Sequence, residues 1–271
     1  MCYKSETFSK TVFTTKTSQV GFQIVCALWA IWFCIHLWDY SGKENVVGNN
    51  EPDLGASSNV VVRLCRAIER NKNYQVYFDN YYTSLGLISY LSKQGIHSLA
   101  TINRNRIPNS KLPTEQEMKK RDCGDSFEFV GVVDNVEISI TAWKDNKTVV
   151  LASSFLGQLP LAQVQRYDKN QQQRISVTCP AVVQEYNKHM GGVDLHDSFM
   201  GRYNIIIRSK KWYFRIFYHL IDVIVINAWL LYKRAMQENA KSGKSLPSKI
   251  LQLWEFRLEI AGYLGRRVPC Q

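Results

Sequence analysis

No two of the seven cysteines form a C-x-x-C pair: Cys2, Cys26, Cys34, Cys65, Cys123, Cys179 and Cys270 stand far apart. That absence removes the spacing a zinc knuckle requires, so zinc is not expected. An odd count without regular spacing also argues against a secreted disulfide framework and for reduced thiols inside a cell. Acids are in short supply too. Lys and Arg total 34 against 23 Asp and Glu, a formal net charge of +11 with a pI near 9.3. Such an imbalance suits a polyanionic partner, nucleic acid ahead of an anionic membrane; the plainer reading is a solvated basic surface. Turn formers are missing in one place, since no Gly, Pro, Asn or Asp stands between residues 22 and 38. From Val20 to Trp38 only Gln23 and His36 are strongly polar, which gives the run the length and apolarity of a transmembrane helix. It lies too far from the start, and lacks the small-residue cleavage pattern, for a signal peptide. Two buried strands joined by an unmarked turn are the alternative, and periodicity does not choose between them.

What is present is a globular composition. The hydrophobic fraction is 45% over 271 residues, enough for one large domain or two small ones and too high for disorder. Residues 41–59 read as a loop, and 60–70 as a short amphipathic helix with Val61, Leu64, Cys65 and Ile68 at helical spacing. A buried strand is predicted over 74–78, ending at Asp79. A helix is predicted over 84–94, with Thr83 or Ser84 as N-cap and Gly95 as its stop, then a strand over 97–102. This alternation favours an α/β sheet.

The rhythm then changes. Residues 103–123 are polar and basic. Three β-rich runs at 127–133, 136–143 and 148–155 are split by Asp134-Asn135 and Asp145-Asn146, which are hairpin punctuation. Residues 158–173 read as a polar linker, so 103–175 is expected to be an all-β insertion in an α/β domain. From Pro180 the chain reads as helical. A second helix is expected to begin near Gly192, and a third, long and mostly apolar, over 211–236. In that third helix Arg215, Asp222, Asn227 and the Lys233-Arg234 end favour a core helix over a membrane span. A basic linker and an amphipathic helix over 251–264 close the chain.

Three groups could carry chemistry. Asp79 sits where a strand stops, so its carboxylate projects past the sheet edge, where open α/β sheets place ligands. Its plainer role is punctuation of a strand-to-helix turn. Asp194 and Asp197 are three apart and so share a helix face. In the first turn of a helix they would also complement its dipole, which accounts for them without a metal. His196 reads as a polar surface residue. Arg202, Arg208, Lys210, Lys211, Trp212 and Arg215, mixed with Tyr203 and Tyr213, suit phosphate contacts and stacking of an unpaired base. A second basic patch holds Arg104, Arg106, Lys111, Lys119, Lys120 and Arg121, diluted by Asp122 and Asp125.

Several of these residues, taken together, resemble the piggyBac transposase family. They are Tyr77-Phe78-Asp79-Asn80-Tyr81-Tyr82-Thr83-Ser84; then Tyr186-Asn187 with Met190-Gly191-Gly192-Val193-Asp194 and Asp197; then Arg208-Ser209-Lys210-Lys211-Trp212. Gly21-Phe22, Tyr40-Ser41-Gly42-Lys43-Glu44 and Asn227-Ala228 support the likeness, which runs in order from about residue 20 to 235. The resemblance implies an RNase H-like catalytic core of the DDE class, split by a β-rich insertion. The parts would be 20–102 and 176–236 for the core, 103–175 for the insertion, and 237–271 for a basic linker and last helix. It implies Mg²⁺ or Mn²⁺ held by aspartates, with Asp79 as the second acid, Asp194 the third and Asp197 a further one. The metals would serve phosphodiester cleavage and strand transfer. DNA is the implied partner, with dimerisation left open and no small-molecule substrate; the implied location is the nucleus.

The resemblance also implies a defect. Between Gly21-Phe22 and Gly42-Lys43 the spacing is kept, yet the position of the first acid falls on Trp29, and Asp39 comes about ten places too late. An indole cannot ligate Mg²⁺, so impaired catalysis is expected. The family's N-terminal DNA-binding and dimerisation regions would precede this chain, and its cysteine-rich zinc domain would come after residue 250. A non-catalytic DNA- or chromatin-binding module is the competing expectation. A membrane-anchored basic protein is a third, resting on residues 20–38 alone.

Overall fold

The computed structural model describes residues 10–15, 23–29, 34–40, 47–49, 51–168, 172–242 and 249–267; for the strands within 10–40 and for residues 168, 191–194, 197, 212, 241 and 267 it describes the backbone alone. Strands β1 (Lys10–Thr15), β2 (Gln23–Trp29) and β3 (Cys34–Tyr40) form an antiparallel meander in that order. Within the apolar run, residues 20–22 and 30–33 lie outside the described residues; the described ones, 23–29 and 34–38, are paired strands, which overturns the transmembrane-helix reading. Their β-branched and aromatic residues suit a pleated surface, and pairing satisfies their backbone. Strand β1 was not anticipated, although Thr11, Val12, Thr14 and Thr15 are β-branched.

A second sheet is assembled from β4 (Tyr74–Phe78), β5 (Ile96–Thr101), β6 (Ser126–Val133), β7 (Val136–Lys144) and β8 (Thr148–Ser153), in the order β4-β5-β8-β7-β6. Strands β4 and β5 are parallel, with Phe78 opposite Ala100; the other neighbours are antiparallel. The β6–β7 hairpin turns at Asp134 and Asn135, at φ of 48° and 65°, as a two-residue hairpin requires. Strand β1 lies alongside β4.

Helices cover both faces of this sheet. On one side lie α1 (Ala56–Cys65) and α2 (Leu85–Lys93), packed with Val76, Phe78, Ile96 and Ala100. A short helix α3 (Glu115–Lys119), closed by a Thr114–Glu117 capping box, crosses the polar stretch after β5. On the other side lie α4 (Ala181–Tyr203), α5 (Trp212–Lys241) and α6 (Leu253–Arg267), packed with Tyr77, Leu99, Trp143 and Leu151. The alternation of side chains along β4 and β5 thus feeds two separate cores. Helix α2 begins as expected: the Ser84 side chain accepts from Leu87 N, and Gly95 ends it at φ 69°. Helix α1 starts earlier than the apolar spacing suggests. Ser58 and Asn59, read as loop, are buried, and Asn59 donates to Asp53 Oδ1 at 2.8 Å.

Two further expectations fail. The segment 158–173 is not a linker: β9 (Leu161–Asp168) and β10 (Gln173–Pro180) pair as an antiparallel hairpin. Its polar, glutamine-rich outer face hides the alternation of Ile175, Val177 and Cys179, which turn to the core. Nor does a new helix begin near Gly192. Helix α4 runs through Gly191-Gly192 for 23 residues. Glycine disfavours a helix interior by only about 1 kcal/mol, which the buried flanks Val182, Val183 and Met200 outweigh. Asp194 and Asp197 therefore sit inside a helix, where no first-turn dipole acts on them.

Candidate functional site

The parallel strands β4 and β5 end at the same edge of the sheet, and the segments leaving their C-terminal ends build the site. After β4 comes the loop Asp79 to Ser84; after β5 comes a 3-10 turn, Arg104–Arg106. Asp79 is exposed, two residues beyond Tyr77 and so on the face that α4 covers. Thr101, two residues beyond Leu99, is on that same face. Its hydroxyl donates to Asp79 Oδ1 at 3.0 Å, and the Asn80 N–H donates to the same oxygen at 2.7 Å. The Tyr186 hydroxyl on α4 reaches Thr101 Oγ1 at 3.4 Å. One carboxylate oxygen is thus held by two donors, and Oδ2 has no partner among the described residues.

Beneath this edge, β4 and α4 are tied by polar contacts. The Tyr77 hydroxyl donates to Glu185 Oε1 at 2.9 Å, and its ring stacks on His189 at 4.4 Å between centroids. His189 Nδ1 in turn lies 3.3 Å from Glu185 Oε1. Helix α4 is thereby fixed against the strand that delivers Asp79, and its backbone carries Asp194 and Asp197 further along. Among the described residues no three of His, Cys, Asp and Glu come together as a metal cluster. Asp79 itself suits a hard divalent cation: an exposed carboxylate at a strand end, oriented by a hydroxyl and an amide.

The loop after Asp79 is closely held. Tyr82 N and the Thr83 hydroxyl both donate to Asp79 O, the latter at 2.8 Å. Ser58 on α1 donates to Tyr82 O at 3.0 Å. Arg106 Nη1 lies 2.9 Å from Asn80 O, 3.2 Å from Tyr81 O and 2.6 Å from Thr83 O. Arg104 Nη1 is likewise spent on a carbonyl, that of Pro113 at 2.5 Å. Sequence reasoning assigns these two arginines to a basic patch; both guanidinium groups are engaged with backbone. Thr101, Glu185 and the Arg106 contacts escape it, and Tyr186 enters it only as part of the Tyr186-Asn187 motif. Alternation along β4 and β5 finds Thr101 only once their pairing is known.

The basic cluster falls on the α4–α5 connection. Arg208, Lys210 and Lys211 are exposed there, between exposed Arg202 on α4 and Arg215 on α5. Arg202 donates to Ser198 Oγ at 3.2 Å, Arg215 Nη2 reaches Ser209 O at 3.2 Å, and the Lys211 ammonium lies 5.9 Å from the Tyr213 ring centroid. Trp212 begins α5, and its side chain is outside the described residues. His196 is not the surface residue expected. It is 6% exposed, and burial pushes its pKa down to about 4, with His219 adding repulsion. Burial lowers His219 as well, against an opposing pull from Asp222.

A strand-end carboxylate thus lies on the sheet face covered by α4, the helix whose backbone carries Asp194 and Asp197. Comparison with known proteins defines the group. Residues 1–229 match the family described as "Transposase IS4". The human "PiggyBac transposable element-derived protein 3" is 30% identical over 220 residues, covering 80% of this chain and 36% of that protein. The human "PiggyBac transposable element-derived protein 2" is 28% identical over 241 residues, 88% of this chain and 40% of that one. A solved piggyBac transposase, from a synaptic complex with hairpin DNA, superposes with a TM-score of 0.65 at 18% identity, covering 98% of this chain and 54% of that one. The chain belongs to the piggyBac transposase family, and it spans between about a third and half of the length of these relatives.

Proposed function

We infer that this chain is a transposable-element-derived protein built on an RNase H-like core, which binds DNA and retains an incomplete metal site for phosphodiester chemistry. The meander β3-β2-β1 lying beside the parallel pair β4-β5 supports the RNase H-like reading. In this reading the core is 20–102 and 176–236, the β-rich insertion is 103–175, and 237–271 is a linker and helix. Asp79, Asp194 and Asp197 would hold Mg²⁺ or Mn²⁺. When bound, the metals would supply an activated water or 3′-hydroxyl and a counter-charge for the leaving oxygen. Asp79 contributes an oriented carboxylate, Thr101 and the Asn80 amide hold one of its oxygens in place, and the α4 backbone carries the other two aspartates. Arg202, Arg208, Lys210, Lys211, Trp212 and Arg215 would contact phosphates and an unpaired base. The reading carries nuclear localisation with it, and leaves dimerisation to be measured.

Impairment rests on one observation: no acid stands on β1 or β2. Asp39, on β3, pairs with Ile24 and not with the Trp29 end of β2, about 16 Å away along the strand at ~3.3 Å per residue. A two-metal site lacking one of its three acids would lose most of its activity. The same observation favours a second reading, a domesticated DNA- or chromatin-binding module. Nicking of supercoiled DNA in Mg²⁺ or Mn²⁺ distinguishes them. We expect salt-sensitive DNA binding that survives Asp79→Ala, with little or no nicking. Efficient metal-dependent nicking abolished by Asp79→Ala would overturn the impairment. Absence of DNA binding at low salt would overturn both readings.

A further inference from the structure

We propose that Arg106 is a positioning residue for Asp79, a clamp on the loop that presents the carboxylate, and not a phosphate contact. The inference rests on the metal-site reading above. Every carbonyl in that loop has a donor. Asp79 O accepts from Tyr82 N and the Thr83 hydroxyl, and Asn80 O accepts from Thr83 N and from Arg106. Tyr82 O accepts from Ser58, and Ser84 O accepts from Ile88 N. That leaves Tyr81 O and Thr83 O, and among the described hydrogen bonds both accept from Arg106 alone. A single guanidinium therefore completes the hydrogen bonding of a six-residue loop that has no helix or strand of its own.

The arginine is itself fixed. Asn103 caps the 3-10 turn by accepting from Asn105 N at 3.1 Å, Arg106 N donates to Asn103 O at 2.9 Å, and the next residue, Ile107, is buried. Because β4 and β5 are parallel, this turn lies beside the Asp79 loop at the same sheet edge. Thr101 supplies the second restraint, on the carboxylate itself. Arg106 thus acts through backbone and Thr101 through the side chain, and both converge on where Asp79 points. Groups that orient a metal ligand from behind typically change metal affinity about 10–100-fold when removed.

The test uses the full chain with Mn²⁺ as the probe, its binding read from the loss of the free-ion electron paramagnetic resonance signal. Arg106→Met keeps the aliphatic stem and removes the donors. We expect it to weaken Mn²⁺ binding about tenfold and to speed amide exchange at Asn80–Thr83, while DNA affinity stays within about twofold at fixed salt. Arg106→Lys keeps a cation with three donors and should recover part of the Mn²⁺ affinity; it also serves if the Met variant does not fold. Unchanged Mn²⁺ affinity in both variants, or a DNA-binding salt slope reduced by about one with metal binding intact, overturns the proposal. A wild-type chain that binds no Mn²⁺ overturns the metal-site reading and this inference with it. Wild-type binding that the variants keep overturns this inference alone.

Discussion

Single residues show how burial and pairing set chemistry here. His196 has a folded-state pKa near 4, below its ordinary 6.5, because burial penalises the imidazolium and His219 repels it. The unfolded chain therefore takes up the proton first as pH falls. The stabilisation is complete above about pH 6.5 and is lost as pH drops toward 4. Each pKa unit corresponds to about 1.4 kcal/mol, so the loss is on the order of 3 kcal/mol. Urea unfolding from pH 7 to pH 4 should show this decline, and His196→Leu should flatten it; an unchanged slope would remove His196 as the cause. Thr101 offers a second test at this scale. Thr101→Val removes the hydroxyl that holds Asp79 Oδ1 and should weaken Mn²⁺ binding several-fold, whereas Thr101→Ser keeps the donor and should not.

At the scale of elements, one buried ion pair ties the helical layer together alongside its apolar core. Asp222 on α5 is 2% exposed, accepts from Ile205 N at 2.8 Å and pairs with Arg257 of α6 at 3.1 Å. Arg257 also donates to Tyr203 O, at the end of α4. The Asp222–Arg257 pair thus joins α5 and α6, and through Arg257 the end of α4. Arg257→Met strands that charge and should destabilise the chain by roughly 3–5 kcal/mol in urea titration, while Asp222→Asn/Arg257→Met should be milder than the two single losses summed. A near-neutral Arg257→Met would show that the pair does not hold the layer together. Glycines give an opposite pair of outcomes. A methyl on Gly201, near the end of α4, meets nothing within 4 Å, so Gly201→Ala should stabilise by about 0.5–1 kcal/mol. At Gly95 the φ of 69° and a backbone atom of Asn71 at 2.6 Å leave no room, so Gly95→Ala should destabilise. Thermal melts of both variants check the sign.

Across the whole molecule, charge and apolar surface are unevenly placed. If the α4–α5 connection meets phosphates, Arg208→Ala/Lys210→Ala/Lys211→Ala should weaken DNA binding for all sequences alike. The slope of log K against log salt should fall by roughly 0.9 per contact removed. An unchanged slope would move the interface elsewhere on this basic chain. Helix α5 has two unlike faces. Val223, Ile226 and Trp229 are buried, while Phe217 and Ile224 are 55% and 64% exposed. By length and composition alone, Tyr213–Ala240 would also span a membrane. The core-helix expectation therefore holds for one face of α5 only.

Local signals determined a good deal by themselves. The β-branched run ending at Asp79, the Ser84 cap, the Gly95 stop and the Asp134-Asn135 turn each express backbone preferences of a few adjacent residues, and each is where the sequence places it. The motif around Asp79, Asp194 and the basic cluster also identified the family, because it is long, ordered and chemically specific. Tertiary structure decided what depends on partners far along the chain. Residues 23–29 and 34–40 became strands because pairing, not hydropathy, satisfied their backbone. Helix α4 continued through Gly191-Gly192 because its flanks are packed against distant strands and helices, whose burial outweighs local propensity. His196 went inside because the helix face it occupies is covered by α5. Thr101 reached Asp79, and Arg106 its loop, only because β4 and β5 lie parallel, which brings residues 22 and more positions apart to a single edge. Short-range preference is written in adjacent residues; the convergence of distant side chains on one carboxylate is a property of the packed fold.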